Sequence, residues 1–433
     1  MNNINRRRFF KQTARTAVAA AAGAGIFNVA RLGRTASDEI RVGVTGIHGR
    51  GGDHIRGFAG VPGVRVAALC DVDTTLHAGG IELVKSLQGH TPKAYDDIRK
   101  MLKDEEIDAI SVATCNHWHA LATIWACQAG KDVYCEKPAC HNIFEGRKMI
   151  EAARQYKRMV QVGSQGRSSE GVIKVIELIR DGAIGEVYIA RALCFKPRAS
   201  IGFKADQPEP PKGLNYDIWL GPAQKRPFNA NYVHYNWHWF WDFGNGDIGN
   251  QGVHQMDIGR WGMGKELPVK VSSMGGRYGY KDQGQTANTQ TASFIFDDGR
   301  TLVFEVRGLE TNSEDDVKIG NLFYGSEGWI ALDGFSWYDL FRKGKKERSP
   351  NFEEGKHFAN FIKAVRSRNE KDLNAPVREG VLSADMCHLA NISYRVGRTL
   401  TFDPKTETFP GDDEANKLLT RDYRAPFVVP ENV

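Results

Sequence analysis

The chain contains no hydrophobic run that is long and apolar enough to predict a membrane span. The apolar stretch at residues 14–30 is rich in alanine and glycine, and it is too short and too weakly hydrophobic to span a membrane. The seven cysteines are odd in number and scattered, which argues against a disulfide framework and favours buried free thiols. The sequence also lacks repeats and low-complexity tracts beyond its first 36 residues. The roughly 400 residues that follow are sufficient for two domains with substantial cores.

Without residues 1–36, the chain has no large net charge. Residues 1–36 contain seven lysines and arginines and no acidic residue, so the rest of the chain carries a formal charge of −1 instead of +6. This remainder does not predict nucleic-acid binding, which needs a basic surface. Residues 5–11, with Arg6-Arg7-Arg8, are similar to a twin-arginine export signal, although a basic disordered N-terminus is an alternative. We expect residues 1–36 to be a signal peptide for the twin-arginine export machinery and the protein to be periplasmic or otherwise exported.

A strand followed by a glycine-rich turn organises the rest of the chain. Apolar residues 41–45 lead into residues 46–51, after which a helix can begin. This order places backbone N–H groups and a helix N-terminus around a pyrophosphate, and it matches the dinucleotide fingerprint G-x-G-x-x-G except that His48 replaces the middle glycine. A second apolar strand, 64–70, ends in Asp71, whose carboxylate suits the adenosine ribose hydroxyls and repels a 2′-phosphate. These features predict NAD as the cofactor, whereas an ordinary strand-turn-helix with an acidic loop is the alternative.

Strand-like and helix-like segments alternate from residue 38 to about 160, which predicts a parallel sheet covered by helices. The later predicted strands are 107–113, 132–136 and 158–163, and the predicted helices are 118–129 and 143–156. Polar clusters follow these strands at residues 114–119, 136–138 and 163–165. Because the carboxyl ends of parallel strands meet at one edge, we expect the clusters to face the crevice beside the glycine turn. Loops with helix-capping groups are the alternative.

From residue 161 to about 375 the pattern changes to successive strands without long helices between them. A helix over 169–181 precedes strand candidates at 187–193, 269–274, 289–296, 301–306 and 321–324. Such an order predicts an antiparallel or mixed sheet. A last helix is predicted over 376–397, followed by a tail with little pattern that is either an arm or a disordered end. We therefore divide the chain into segments 1–36, 38–160, 161–375 and 376–433.

The most aromatic tract, residues 232–241, interleaves ring faces with hydrogen-bonding side chains. This combination suits a carbohydrate, whose C–H faces stack while its hydroxyls form hydrogen bonds; an aromatic core with capped histidines is the alternative. His234 and His238 have helical spacing, and Asp242, Asp247 and His254 follow, which makes a metal site conceivable. No compact ligand motif supports it, so we predict no metal.

These motifs resemble the glucose–fructose oxidoreductase/inositol dehydrogenase (Gfo/Idh/MocA) family. The resemblance is carried by residues 46–51, Asp71, 113–119, Glu136-Lys137-Pro138 and 246–257, and it covers nearly everything after residue 36. Glu-Lys-Pro at a strand end, at this distance from the glycine turn, is fairly specific. The resemblance implies an α/β protein with an N-terminal Rossmann domain, whose parallel sheet is doubly wound, and a C-terminal α/β domain with a large open, mostly antiparallel sheet. That sheet commonly forms the oligomer interface in the family, so we expect a homo-oligomer.

The resemblance also implies roles for single residues. In the family the lysine of Glu-Lys-Pro contacts the reacting hydroxyl and the nicotinamide region, which gives Lys137 that role. His254 matches the histidine of an Asp-x-x-x-His pair, but Asn250 stands where the aspartate is expected and cannot take a proton. His254 then becomes the proton acceptor, for which its ordinary pKa of about 6.5 is suitable. Asp247 is a second candidate carboxylate.

Three sets of site residues are therefore expected. The catalytic set is Lys137, His254 and Asn250. The cofactor set is Gly46, Ile47, His48, Gly49, Arg50, Gly51, Asp71, Thr114, Asn116, His119, Glu136, Lys137 and Gln165. The substrate set is Lys137, Trp239, Trp241, Asp247, Asn250 and His254.

These residues describe an NAD-dependent oxidoreductase that takes hydride from a hydroxyl-bearing carbon of a sugar, glycoside or polyol. A redox-neutral alternative on the same fold is an NAD-dependent glycoside hydrolase that oxidises the sugar, eliminates the glycosidic bond, adds water and reduces the product. A non-catalytic sugar-binding protein is favoured by Asn250 and His48 and disfavoured by Lys137 and His254. Because no free NAD pool is expected outside the cytoplasm, export favours a cofactor that travels inside the folded protein.

Overall fold

The first half of the described chain alternates strands and helices. A computed structural model describes residues 39–433, so the predicted signal peptide lies outside the described residues. The strands are β1 (Ile40–Thr45), β2 (Val64–Cys70), β3 (Lys93–Tyr95), β4 (Ala109–Val112), β5 (Asp132–Cys135) and β6 (Val160–Val162). The helices are α1 (Arg50–Ala59), α2 (His77–Gln88), α3 (Ile98–Met101), α4 (Asn116–Gln128) and α5 (Ile143–Gln155).

The six strands form one parallel sheet in the order β3-β2-β1-β4-β5-β6. This is the strand order of a dinucleotide-binding Rossmann sheet, and it confirms the predicted fold. Strands β4 and β5 are buried along their whole length, as expected for a parallel sheet with helices on both faces. The order reverses between β1 and β4, so the glycine turn after β1 and the polar cluster after β4 lie side by side at the switch point.

The second half is dominated by strands. They are β7 (Val187–Cys194), β8 (Asp206–Gln207), β9 (Phe228–Asn229), β10 (Lys270–Gly276), β11 (Thr289–Ile295), β12 (Thr301–Arg307), β13 (Ile319–Gly325), β14 (Gly328–Asp333), β15 (Trp337–Arg342), β16 (Lys345–Arg348) and β17 (Leu400–Thr401). The helices are α6 (Glu170–Arg180), α7 (Tyr216–Leu220), α8 (Val253–Met263), α9 (His357–Ser367), α10 (Val377–Val396) and α11 (Asp413–Asn416).

Nine of these strands form a second sheet in the order β16-β15-β14-β13-β7-β12-β11-β10-β17. Only the β7–β12 pair is parallel within this sheet, so the expected large, mostly antiparallel sheet is confirmed. Helices α6, α8 and α10 pack on it and bury a core that includes Val175, Met256, Phe304 and Leu389. Helix α8 places the residues that follow the aromatic tract directly over the sheet.

Helix α10 and the C-terminal tail pack against the first half of the chain. The tail residues Phe427 and Val429 are buried in the same cluster as Trp118 of α4. The tail is therefore an ordered arm and not a disordered end. Among residues 39–433 no helix combines the length and apolar character that a membrane crossing requires.

Candidate active site

The glycine turn between β1 and α1 lines a cleft to which both halves of the chain contribute. Gly46 has a φ of +77°, and a Cβ there would lie 2.7 Å from the carbonyl oxygen of Ala113. A Cβ at Gly51 would lie 1.8 Å from the carbonyl oxygen of Gly46. Glycine therefore allows β1, β4 and the start of α1 to approach this closely. Gly49 has open space at its Cβ position and lines the cleft, which leaves its backbone accessible to a ligand.

Asp71 links this turn to the end of β2. Its Oδ2 accepts a hydrogen bond from the Ile47 N–H at 2.9 Å, and its Oδ1 accepts one from the Asp73 N–H at 3.0 Å. Burial raises the pKa of Asp71, although these two N–H groups offset part of the effect. His48, in the place of the middle fingerprint glycine, stacks on His234 with ring centres 4.5 Å apart. The second half of the chain thus reaches the turn beside the position expected for the ribose.

Glu136 is buried beside the glycine turn and contacts three polar side chains. Its Oε1 lies 2.9 Å from Arg50 Nε, 3.0 Å from His54 Nε2 and 3.2 Å from Gln165 Nε2. Burial alone would raise the pKa of Glu136, but the His54 hydrogen bond and the Arg50 charge hold it well below its usual range. Glu136 is therefore an ionised carboxylate that fixes the side chains around it.

Lys137, Asn250 and His254 line the same cleft. The Lys137 Nζ donates a hydrogen bond to the Asn250 carbonyl oxygen at 2.7 Å. Asn250 lies in a π-helical turn, Ile248–Gly252, that leads into α8 and to His254. Burial lowers the pKa of Lys137, and burial together with the Lys137 charge lowers the pKa of His254 to about 3. His254 therefore rests as a neutral imidazole beside a cation.

The polar cluster after β4 is held by contacts between loops. The Nδ1 of His119 lies 2.7 Å from the Pro138 carbonyl oxygen, and its Nε2 lies 3.0 Å from the Thr114 carbonyl oxygen. The Asn116 Nδ2 donates to Asn245 Oδ1 at 2.9 Å. These contacts connect the ends of β4 and β5 to the segment before the π-helical turn, so they fix the backbone around the cleft.

The cleft has a volume of about 760 Å³, which is sufficient for an elongated cofactor. Thirteen of the predicted site residues line it: Gly46, His48, Gly49, Arg50, Asp71, Thr114, Asn116, His119, Glu136, Lys137, Gln165, Asn250 and His254. Ile47 and Gly51 shape the turn without lining the cleft. The residues fit NAD, because α1 begins without a side-chain cap at the turn and Asp71 stands at the end of β2.

Three predicted substrate contacts lie away from the cleft surface. Trp239 is buried, with the Arg198 guanidinium 5.4 Å from its ring centre. Trp241 packs beside Tyr394. Asp247 is buried and binds Arg198 with both oxygens, at 2.6 and 2.9 Å. Trp239 and Trp241 therefore pack outside the lining of the cleft in this structure, and both oxygens of Asp247 are paired with Arg198.

The second half of the chain contributes a cleft wall that was only partly predicted. Its unpredicted members are Lys196, Arg198, Leu214, Trp219 and Phe335, whereas Tyr235 and Gln251 lie in the tract 232–241 and the segment 246–257 noted above. The signal that could have identified part of it is the pair of basic residues directly after β7, since strand ends commonly carry site residues. His234, considered above for a metal, instead pairs with Asp73 at 3.1 Å.

The histidines of the aromatic tract are not part of a ligand cluster. Within residues 39–433, the group of three side chains close enough to share a metal ion consists of Cys140, Asp385 and His388. These three are buried and do not line the cleft.

Comparison with known proteins identifies both halves of the chain. The family model described as "Oxidoreductase family, NAD-binding Rossmann fold" matches residues 40–164. The model described as "Oxidoreductase family, C-terminal alpha/beta domain" matches residues 186–429, which is more than half of the chain. Both models represent the Gfo/Idh/MocA family.

Similarity to individual curated proteins is partial. The chain is 32% identical over 149 residues to inositol 2-dehydrogenase of Salmonella typhimurium, a match that covers 34% of this chain and 43% of the relative. It is 25% identical over 154 residues to a glycosyl hydrolase family 109 protein of Shewanella pealeana, covering 35% of this chain and 34% of the relative. The matches thus span less than half the length of these relatives.

A solved structure shares the fold across both halves. The WlbA dehydrogenase from Bordetella pertussis, in complex with NADH and UDP-GlcNAcA, has a TM-score of 0.65 and 19% identity, covering 84% of this chain and 99% of that one. This likeness agrees with the two matched family models and with the geometry of the glycine turn. The chain therefore belongs to the Gfo/Idh/MocA oxidoreductase family, and its first half is the NAD-binding Rossmann fold of that family.

Proposed function

We propose that the protein is an NAD-dependent oxidoreductase that removes hydride from a hydroxyl-bearing carbon of a sugar, glycoside or polyol. One observation carries this proposal: Lys137 and a neutral histidine, His254, line the same cleft as the dinucleotide-binding turn. The family models and the inositol 2-dehydrogenase relative support the same reaction class. NAD, when bound, supplies the hydride acceptor.

The side chains of this protein carry out the proton chemistry in the proposal. His254 is neutral and so can accept the proton of the substrate hydroxyl as a general base, but its pKa of about 3 makes it a weaker base than the ordinary imidazole expected from the sequence. The Lys137 ammonium stabilises the negative charge that develops on the same oxygen. Because the Lys137 charge disfavours the imidazolium, His254 returns its proton readily when the reaction runs in reverse. Asn250 orients the hydroxyl and takes no proton.

Two substitutions test these roles. We expect Lys137→Ala and His254→Ala each to lower turnover by about 10²- to 10⁴-fold, because each removes charge stabilisation or proton transfer at the reacting oxygen. Turnover is measured by reduced-nicotinamide absorbance on a panel of sugars and polyols, and NAD binding is measured separately by calorimetry. Lys174→Ala, on the exposed face of α6, is the matched control. Wild-type turnover in both folded variants contradicts the assigned roles.

A redox-neutral glycoside hydrolase is the second candidate. The similarity to a glycosyl hydrolase family 109 protein favours it, and the same Lys137 and His254 serve its oxidation step. Mass spectrometry of products from a glycoside panel separates the two functions. A product two hydrogens lighter with an intact glycosidic bond supports the oxidoreductase. Free sugar and aglycone without net oxidation support the hydrolase.

Export through the twin-arginine pathway to the periplasm is part of the proposal. It is supported by Arg6-Arg7-Arg8 and the acid-free composition of residues 1–36, which precede the matched family domains. A reporter fused to residues 1–36, compared with a version in which Arg6, Arg7 and Arg8 are replaced by lysine, tests it. Retention of both reporters in the cytoplasm contradicts export.

We also infer a homo-oligomer that forms through the second sheet. Its strands carry exposed apolar side chains, including Tyr188, Met274 and Trp329, which are 51%, 70% and 37% exposed in the isolated chain. Exposed apolar groups on an open sheet are typical of association surfaces. Sedimentation of the wild type and of Met274→Glu tests this inference, because a charge at a buried interface shifts the protein toward monomer.

A further inference from the structure

The segment after β7 places two basic side chains on the cleft wall. Lys196 and Arg198 both line the cleft that contains Lys137 and His254. Neither residue has a role in the hydride and proton transfers described above. Their charges therefore influence which substrates bind in the cleft.

The two basic residues are paired differently. The Arg198 guanidinium is held by both oxygens of Asp247, which neutralises it. The Lys196 Nζ has a hydrogen bond to Gln251 Oε1 at 3.4 Å. Within residues 39–433, no carboxylate oxygen lies within the 4.0 Å ion-pair distance of the Nζ of Lys196 or of Lys137. Two ammonium groups thus line the cleft without a partner of opposite charge.

Within residues 39–433, the acidic residues that line the cleft form no ion pair with these two ammonium groups, although the Glu136 charge acts on Lys137. Asp71 holds the backbone of the glycine turn, and Glu136 is paired with a guanidinium. Glu354 is exposed at the cleft and forms no ion pair with residues 39–433. Burial lowers the pKa of Lys137, as do the charges of Arg50 and Lys196, whereas the charges of Glu136 and Asp247 raise it, so Lys196 is near enough to act on the Lys137 charge. An anion bound to Lys196 would offset its charge.

We propose that the substrate of this cleft carries a carboxylate, as a uronic acid or its glycoside does, and that Lys196 binds it. This inference rests on the proposed function, because it names the substrate class of the same site. Once Lys137 serves the reacting hydroxyl, one unpaired ammonium remains, which matches one negative charge. A phosphate ester carries up to two charges and favours a bidentate arginine, and the Arg198 fork is already occupied by Asp247.

Matched sugar pairs test the proposal. Binding of glucose against glucuronate, and of galactose against galacturonate, is measured by calorimetry on NAD-loaded protein, alongside kcat and KM for oxidation. We expect the wild type to prefer the uronates. Lys196→Met should lower the uronate-to-neutral ratio of binding constants by about 10- to 100-fold, because it removes one charge-assisted hydrogen bond. Lys204→Met, an exposed lysine outside the cleft, should leave the ratio unchanged.

The outcomes separate this inference from the proposed function. Equal or weaker uronate binding in the wild type, or an unchanged ratio in Lys196→Met with intact NAD binding, overturns the inference. Tighter binding of the 6-phosphate or sulfate ester than of the uronate also overturns it. Uronate binding that depends on Lys196 but occurs without oxidation or glycoside cleavage supports the inference and overturns the proposed function. Preferential oxidation of uronates, seen mainly as a lower KM for uronates than for neutral sugars, supports both the inference and the proposed function.

Discussion

At the residue scale, Asp71 shows how one side chain serves the turn and the cofactor together. Its oxygens accept hydrogen bonds from the N–H groups of Ile47 and Asp73, so the carboxylate shapes the backbone on both sides of it. It also lines the cleft, where ribose hydroxyls would meet it. An asparagine has the same size but only one acceptor oxygen, and it carries no charge.

We therefore expect Asp71→Asn to weaken NAD binding by about 1–3 kcal/mol and to reduce the preference for NAD over NADP. The reason is the loss of an ionised acceptor and the placement of an amide against a backbone N–H group. Calorimetric titration with both dinucleotides measures the effect. Asp413→Asn, at an exposed position on α11 outside the cleft, is the matched control and should bind NAD like the wild type. Equal NAD affinity in Asp71→Asn is the result that contradicts this expectation.

Local patterns predicted Asp71, the glycine turn and the Glu136-Lys137 pair because each follows a strand whose end is visible in the sequence. The substrate side was harder to predict. Asp247 is held by Arg198, which lies 49 residues earlier in the chain, and no local pattern reveals such a pair. Trp239 was predicted as a sugar-stacking surface, but the same arginine covers its ring. Long-range packing, and not residue type, decided which aromatic rings face the cleft.

At the scale of the element, helix α8 was not predicted because its sequence is rich in glycine, which disfavours helices. The glycines at its start and within it instead allow it to lie directly on the second sheet. A Cβ at Gly252, the residue directly before α8, would lie 2.4 Å from the Phe304 ring, and a Cβ at Gly259 would lie 2.9 Å from the Leu302 side chain. Close packing on the sheet therefore outweighs the low helix propensity. It also fixes the distance between the sheet and α8, which carries His254. Helices α2 and α9 were also missed although each has at least eleven residues, and strands β3, β14, β15 and β16 were missed because short strands have weak periodicity.

We expect Gly252→Ala to lower the free energy of unfolding by about 1–3 kcal/mol, because the added methyl group overpacks against the buried Phe304 ring. The added methyl group should also displace α8, which carries His254, so turnover should fall. NAD binding should be retained, because the glycine turn lies on another element. Gly79→Ala in α2 is the control: its Cβ position is open, so a gain of about 0.5–1 kcal/mol is expected. Denaturant titration and steady-state kinetics give both quantities, and unchanged stability of Gly252→Ala contradicts the packing argument.

The C-terminal tail behaves as a structural element although it contains little regular structure. Phe427 packs edge-to-face with Trp118, with ring centres 5.5 Å apart, and Arg99 lies over the Phe427 ring. We expect Phe427→Ala to lower the free energy of unfolding by about 3–5 kcal/mol, as for other buried aromatic residues. The neighbouring Val428 is 44% exposed, so Val428→Ala should change stability by less than about 0.5 kcal/mol. Similar values for the two variants in denaturant titrations exclude a stabilising role for the arm.

At the scale of the whole molecule, the described chain holds several histidines neutral, three of them in its interior (His117, His357 and His388) and two at the cleft (His238 and His254). Burial lowers the pKa to about 3 for His117, His238 and His254, and to about 4 for His357 and His388. Contacts with backbone carbonyl oxygens hold some of these rings, as for His117 Nε2 beside Trp219 at 3.0 Å. In the unfolded chain the same side chains have a pKa of about 6.5.

This difference fixes the sign of the pH dependence. Below about pH 6.5 the unfolded chain binds protons on these histidines while the folded chain does not, so stability is fully present above that pH and is lost as pH falls toward their folded pKa values. Each histidine removes about 1.4 kcal/mol of unfolding free energy between pH 7.5 and 5.5. Glu145 acts in the opposite direction, because burial raises its pKa to about 7. Burial also raises the pKa of Asp71, Asp132, Asp333 and Asp385, which act in the same direction as Glu145. Nine histidines of residues 39–433 have a lowered pKa, so the loss of stability in acid dominates.

We therefore expect the free energy of unfolding of the full chain without NAD to fall by several kcal/mol between pH 7.5 and 5.5. His117→Gln should make this fall smaller by about 1.4 kcal/mol, because it removes one group that only the unfolded chain protonates. The readout is the slope against pH from denaturant titrations, so a constant loss of packing in the variant does not affect it. Equal slopes for the wild type and His117→Gln would mean that His117 binds its proton in both states. A reduced slope would show that burial keeps this histidine neutral, as it does for His254 in the cleft.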